Sequence, residues 1–433
     1  MSNTSLRRDL LKSAAAVYTT NLFTGKVFGA NDKIETAFIG MGRMGTGNLS
    51  AAMKQDKLHV AAVCDVYKPA LDAAVAKTAS QPGGAARGIA DFREIMADRT
   101  IDAVCIATPD HWHAYMEVEA CKAGKDVYVE KPISVTIEEG QKMVQAARKY
   151  NRVVQAGTMQ RSGKHFIEAC ELVRQGRIGE VTSVKTWNYG NSKREGIGNP
   201  PDGAPPADLN WDMWLGPAPK HEFNKNRWGV DPKAFSHFRW FWDYAGGMMT
   251  DWGVHVLDIG RMGTGEPMPR SVAALGNKFL IEDNRDTPDT LSVIYEFPKF
   301  LASYENRTFN ANSMFKQGYG TMFHGTKATM FVDRSLYRIY PEQGEGTEII
   351  EVKSSNNMNV DHWANFLDCI RTRQRPASDI EICYKSTVTC LLANISLIAR
   401  KRVDWDEAND RIAQPDLRGY MKREERAPWK ILV

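Results

Sequence analysis

Residues 34–45 read IETAFIGMGRMG, and the order of residue types in that stretch decides the fold of the first part of the chain. Ile34 to Ile39 is a short apolar strand, and Gly40, Gly42 and Gly45 follow at once in the spacing G-x-G-x-x-G. A helical stretch from Arg43 to about Met53 comes next, then a second strand, HVAAVCD, ending at Asp65. Between a strand and a helix these glycines have a mechanism. The first allows the tight turn, the second lets backbone N–H groups approach a pyrophosphate, and the third lets helix and strand pack closely. The helix N-terminus then faces the anion. A carboxylate at Asp65 accepts hydrogen bonds from both ribose hydroxyls and repels a 2′-phosphate. The pattern predicts a dinucleotide site favouring NAD, while Lys68 and Lys77 leave NADP open.

Strand and helix keep alternating. Helices are expected at Ala70–Lys77, DFREIMAD, HAYMEVEACKAG and TIEEGQKMVQAARKY, and strands at IDAVCIATPD, KDVYVEKP and RVVQAGTMQ. Such repetition implies a parallel sheet with right-handed crossovers, whose ligands bind outside the carboxyl ends of the strands. The polar residues ending those strands are therefore suspects: Thr108-Pro109-Asp110, Glu130-Lys131-Pro132 and Met159-Gln160. After Arg161 the text changes to short strand-like runs with turn signals between them, among them VTSVKTWNY, TLSVIYEFP and ATMFVD. Between Tyr189 and Trp228 lies a Pro/Gly/Asn-rich insertion whose Trp211, Trp214 and Trp228 predict a structured loop, over the site or at a subunit contact.

The chain of 433 residues is too long for one core and predicts more than one domain. Its 43% hydrophobic and 25% charged content is that of a globular enzyme. A formal charge of +4, with no basic block interleaved with aromatics, argues against a nucleic-acid partner. The mixed run KREER reads as a solvated face, and no run is read as a membrane span. Seven widely spaced cysteines without a CxxC pair argue against a disulfide framework or a zinc site, with Cys64 and Cys105 as buried thiols. The leader SLRRDLLKSAAAVYTT carries paired Arg7-Arg8 and small residues, and resembles a twin-arginine export signal. It predicts a periplasmic protein; a cytoplasmic one with an irregular tail is the alternative.

The stretch Gly246–Asp258, GGMMTDWGVHVLD, read as one helix puts Asp251, His255 and Asp258 on a single stripe. Trp252, Val256 and Ile259 form the core face beside it. Asp258 is expected to bond backbone or Arg261. The aromatic run HFRWFWDY, 237–244, leads into the glycine pair and reads either as a saccharide platform or as a buried aromatic cluster, with Arg239 and Tyr244 as its polar candidates.

Taken together, GMGRMG, CIATPDHWH, VYVEKPIS, AGTMQRS and GGMMTDWGVHVLD, in that order, resemble the Gfo/Idh/MocA family of NAD(P)-dependent oxidoreductases, from about Ile34 to the C-terminus. The resemblance implies an α/β chain: an N-terminal Rossmann doubly wound parallel sheet, then an α+β domain with a large open, mostly antiparallel sheet. Boundaries follow as leader 1–33, dinucleotide-binding domain 34–157, substrate and oligomerisation domain 158–357, and 358–433 as helices and tail packing back on both. HWANFLDCIRTRQRP and RKRVDWDEAND would be closing helices. The resemblance makes Lys131, Asp251 and His255 the catalytic set. Cofactor contacts are expected at Gly40, Gly42, Arg43, Met44, Asp65, Thr108, Pro109, His111, Glu130, Lys131 and Gln160. Substrate contacts are expected at Lys131, Arg239, Tyr244, Asp251 and His255, with no metal. The chain is expected to form homodimers or homotetramers.

Oxidising a carbinol needs a hydride acceptor and a base for the hydroxyl proton. His255 suits the base role because an imidazole titrates near working pH. Asp251 would be its partner or a hydrogen-bond acceptor for substrate, and Lys131 would hold the developing alkoxide. The leading expectation is an NAD-dependent oxidoreductase for a sugar, sugar derivative or cyclitol hydroxyl, with its cofactor tightly held. The alternative is a redox-neutral NAD-dependent glycosidase working by transient C3 oxidation and elimination. A cofactor-sensing or assembly module is the non-enzymatic reading.

Overall fold

In the computed structural model, residues 33–229, 236–265, 268–312 and 317–433 are described, and the twin-arginine-like leader lies outside them. Six short apolar strands build the first sheet: β1 (Ile34–Ile39), β2 (Leu58–Cys64), β3 (Arg87–Ile89), β4 (Ala103–Ile106), β5 (Asp126–Val129) and β6 (Val154–Ala156). All pair in parallel, in the order β3-β2-β1-β4-β5-β6. Helices cover both faces, which is why β4, β5 and β6 are buried at every position. The order reverses between β1 and β4, so the crevice outside their carboxyl ends is where a ligand belongs.

The second sheet has ten strands: β7 (Val181–Tyr189), β8 (Ser271–Asn277), β9 (Thr290–Glu296), β10 (Leu301–Arg307), β11 (Tyr319–Gly325), β12 (Ala328–Val332), β13 (Leu336–Pro341), β14 (Ile350–Lys353), β15 (Val403–Asp406) and β16 (Arg411–Ile412). They run β14-β13-β12-β11-β7-β10-β9-β8-β15-β16, antiparallel except for the β7–β10 pair. On β9 burial alternates, so Leu291, Val293 and Tyr295 face the helices while Ile294 points outward. The outer face also carries Leu275, 81% exposed, and Leu301, 54% exposed.

Four expectations need correcting. The tail RKRVDWDEAND is not a closing helix: Val403–Asp406 pairs with β8 at the sheet edge. Alternating Val403 and Trp405 face inward there, a period of two that a short charged segment hides. A helix unmarked in the sequence reading, Ile380–Ala399, is buried along most of its length. Buried on nearly all sides, it carries no amphipathic stripe to read. At 20 residues it is also long and apolar enough to cross a membrane, against the expectation that no run would be. Here the protein itself encloses it: Ser386 Oγ donates to Asp258 and Asn394 Nδ2 to Gly246 O.

The third correction concerns 246–258, which forms two helices, Gly247–Asp251 and Gly253–Thr264, meeting at Trp252. The fourth concerns KREER, of which only Lys422 and Glu424 are exposed. Arg423 donates to Glu139, to His111 O and to Asp243 O, and Arg426 to Gly216 O.

Candidate active site

One cleft opens at the carboxyl ends of β1, β2, β4 and β5, and the second part of the chain supplies its other wall. At its nucleotide end, Gly40 has φ +86°, and a Cβ there would sit 2.7 Å from Thr108 N. A Cβ on Gly45 would collide with Gly40 O. Only glycine permits this turn. No side chain caps the helix that starts at Arg43, so its first N–H groups are free to hold an anion. Asp65 accepts from Met41 N at 2.6 Å and Tyr67 N at 2.8 Å. Burial raises its carboxyl against those hydrogen bonds. Each oxygen keeps a lone pair for a ribose hydroxyl. Lys68, which had left a 2′-phosphate open, is spent on Asp72 and does not line the cleft. These features fit a bound NAD: a turn a Cβ would fill, uncapped amides, and a carboxylate in the cleft wall.

The insertion closes this end. Lys68 N donates to Asp208 O, Asn210 N donates to Val66 O, and Tyr67 bridges Leu209. Trp228 meets Tyr67 edge-on at 5.0 Å. Met213, Trp214 and Trp228 thereby line the cleft opposite Asp65.

The reactive end draws on distant segments. Lys131 Nζ donates to Asp251 Oδ1 at 2.8 Å and to Asp251 O at 3.0 Å, and Arg239 Nη2 reaches the same carboxylate at 3.3 Å. Burial works to raise the Asp251 carboxyl, but the charges of Arg239 and Lys131 outweigh it and hold it well below the usual range. His255 lies one turn on and is 5% exposed. Burial first, then Lys131 and Arg334, push its imidazole well below the ordinary value, so it is neutral. Asp251 makes no hydrogen bond to it; of the two readings of Asp251, partner of His255 or acceptor for substrate, the first gives way to an acid–ammonium pair. His255 Nδ1 is buried without a partner among the described residues. Gln160 Nε2 holds the His255 carbonyl at 3.4 Å.

Glu130 is buried, accepts from Asn48 Nδ2 at 2.8 Å and from Lys131 N, and is raised by burial. Asn48 in turn accepts from Trp363 Nε1. Asp110 lines the cleft and burial pushes its carboxyl up to about 7, against Arg239 and Lys131.

Of the sequence candidates, Gly40, Gly42, Arg43, Met44, Asp65, Thr108, Pro109, Glu130, Lys131, Arg239, Asp251 and His255 all line this cleft. Three do not. Tyr244 is fully buried, 5.1 Å from the His111 ring and 4.9 Å from Trp214, so it belongs to an aromatic core under the insertion. His111 is enclosed in the same cluster, Nε2 against Trp214 O, and burial lowers it to about 3. Gln160 stands behind His255 rather than in the cleft. The run 237–244 is thus mainly a buried aromatic cluster, of which Phe238 and Arg239 alone reach the cleft. Asp258 turns away altogether: Arg161 clasps it with two bonds of 2.7 Å and Ser386, to which Arg261 donates, adds a third. A metal site on Asp251, His255 and Asp258 would lack that ligand.

The sequence reading did not single out Asn48, Arg161 or Arg334. Arg334 comes from the turn between β12 and β13, and no local motif marks it. Trp252, assigned to a core face, lies in the cleft wall with Arg334 over its ring at 4.9 Å.

A doubly wound sheet with a glycine turn, joined to a large mixed sheet that supplies polar groups to the same crevice, defines a dinucleotide-binding α/β protein. Residues 34–158 match the GFO_IDH_MocA family, described as oxidoreductase, NAD-binding Rossmann fold, and residues 175–272 match its C-terminal alpha/beta domain. The chain belongs to the Gfo/Idh/MocA oxidoreductase family. It is similar to a glycosyl hydrolase family 109 protein of Shewanella sp. (strain W3-18-1), 27% identical over 202 residues, 40% of this chain and 44% of that one. It is also similar to an inositol 2-dehydrogenase of Salmonella paratyphi B, 29% identical over 161 residues, 37% of this chain and 47% of that one. Both matches thus span less than half of the relative's length. Among solved structures, the WlbA dehydrogenase of Bordetella pertussis in complex with NADH and UDP-GlcNAcA is 20% identical with a TM-score of 0.64, covering 86% of this chain and 99% of that one. Levoglucosan dehydrogenase in complex with NADH and levoglucosan is 18% identical with a TM-score of 0.65, over 86% and 99%. These two likenesses are of fold.

Proposed function

We propose that this protein oxidises a hydroxyl of a sugar, sugar derivative or cyclitol, passing the hydride to an NAD that it keeps bound. The convergence of Lys131, Asp251 and neutral His255 in the cleft that the glycine turn opens into carries this reading. Bound NAD supplies the hydride acceptor. Lys131 donates a hydrogen bond to the hydroxyl oxygen and stabilises the alkoxide as charge develops. Asp251 keeps that ammonium aimed. His255, neutral because burial disfavours its charged form, is the base that takes the hydroxyl proton. The sugar ligands of similar structures, UDP-GlcNAcA and levoglucosan, support a saccharide.

The insertion over the nucleotide end supports retention of the cofactor, as does the paired-arginine leader, which within this proposal sends the protein to the periplasm. Retention with no external acceptor favours a second reading, strengthened by the glycosyl hydrolase family 109 relatives. In it, oxidation at C3 acidifies the C2 proton, a base removes it and the C1–oxygen bond breaks. Water then adds across C1 and C2, and the hydride returns to C3, for net hydrolysis. We also propose a homo-oligomer through the outer sheet face bearing Leu275, Ile294 and Leu301, checked by light scattering.

Mass and absorbance analysis of the protein as purified should find a nicotinamide nucleotide. A saccharide panel should then change its redox state, whereas aglycone release from aryl glycosides with no net reduction supports the second reading. Protein that binds NAD but reacts in neither assay overturns both.

A further inference from the structure

The cleft's cations are not equally engaged. Lys131 and Arg239 both spend charge on Asp251. Among the described residues, two cleft cations have no carboxylate within salt-bridge distance. Arg43 is exposed at the glycine turn, where the dinucleotide's phosphates belong. Arg334 is different. It is half-buried, it stands on the Trp252 ring, and its Nε donates to Gln160 Oε1 at 3.2 Å. Neither Nη has a partner among the described residues. The adjacent acid, Asp333, is occupied by Ser335 N and Leu336 N. Burial lowers the guanidinium's affinity for its proton, with Asp251 and Glu130 too remote to pair with it.

A guanidinium held on one edge and open at its two terminal nitrogens matches the two oxygens of one anionic group. Leaving such a charge half-desolvated costs free energy that an anion recovers. The dinucleotide's phosphates belong at the opposite end of the cleft, so the anion must come with the substrate. We infer that the sugar taken by this cleft carries an anionic oxygen group, a carboxylate or a phosphate ester, which Arg334 binds beside His255. The inference rests on the reading of the cleft as a sugar-oxidising site, and it deepens that reading by naming the substrate class.

Calorimetric binding to the NAD-loaded protein tests it without requiring turnover. The probes are D-glucuronate and D-galacturonate, glucose 6-phosphate and galactose 6-phosphate, and the neutral parents D-glucose and D-galactose. At least one anionic sugar should bind about tenfold or more tighter than its parent, an interval typical of a charge-assisted bidentate pair. Preference for the acid identifies a carboxylate, and preference for the ester a phosphate. Arg334→Met should abolish the preference and leave neutral-sugar binding in place, while Arg334→Lys, which keeps charge but loses the fork, should retain part of it. Equal binding of charged and neutral sugars by the unaltered protein overturns the inference even if a neutral sugar is oxidised. So does a preference that survives Arg334→Met. An anionic sugar that binds through Arg334 yet is neither oxidised nor cleaved sustains the inference and removes the catalytic reading instead.

Discussion

The two ends of the cleft are built on opposite plans. The nucleotide end is mostly backbone: a glycine turn, uncapped amides, and one carboxylate steadied by two N–H groups. Its parts lie within thirty-odd residues of one another, and the insertion adds aromatic cover. The reactive end is almost all charged side chain, from Asp110, Lys131, Arg239, Asp251 and Arg334, with a neutral imidazole among them. The contrast teaches that holding the cofactor depends on shape and chemistry depends on field, so damage at one end should leave the other readable.

His255→Ala should break the reactive end most severely. Turnover falls by about a thousandfold, the usual worth of a positioned general base, with bound nicotinamide per chain unchanged. Loss of the nucleotide as well would erase the proposed independence. Asp110→Asn probes the field by pH. An acid whose folded pKa exceeds its unfolded value binds its proton more tightly when folded. It therefore favours folding at low pH, and that advantage is lost as pH rises from 3.8, the ordinary value, to the folded value of about 7. Thermal melts should show the unaltered protein losing stability relative to Asp110→Asn between pH 4 and pH 8, by on the order of 4 kcal/mol. Parallel curves would mean that burial does not raise the Asp110 carboxyl.

At the other end, Gly45→Ala forces a methyl against Gly40 O, costing about 1–3 kcal/mol of stability, and should strip the nucleotide from the purified protein. Trp228→Ala makes the smallest change. It deletes the edge contact to Tyr67, about 1 kcal/mol, and should speed NAD release severalfold with the chemical step intact, as dialysis of labelled cofactor would report.

This division also explains what the sequence could say. Gly40, Gly42, Gly45 and Asp65 were legible because strand, turn and helix are consecutive and each glycine has one steric reason. Lys131, Asp251 and His255 were legible through motif order, but not their pairing: spacing on a helix cannot reveal that an ammonium from just beyond β5 takes the carboxylate first. Tyr244 and His111 were misplaced because aromatic and imidazole side chains near a site look alike whether they face it or support it. Arg334 was invisible, since one arginine in a turn between two strands has no local pattern. The helix Ile380–Ala399 was missed for the converse reason, its uniform burial leaving no periodicity.

Arg423 has a bearing on how this molecule comes together. Its guanidinium ties Glu139, 284 positions away, to the carbonyls of His111 and Asp243. Contacts of that separation form only after the intervening chain has found its shape. On refolding from denaturant, helical signal should therefore recover ahead of the rigid environment of Trp112 and Trp214, whose shared floor this single side chain fastens from above.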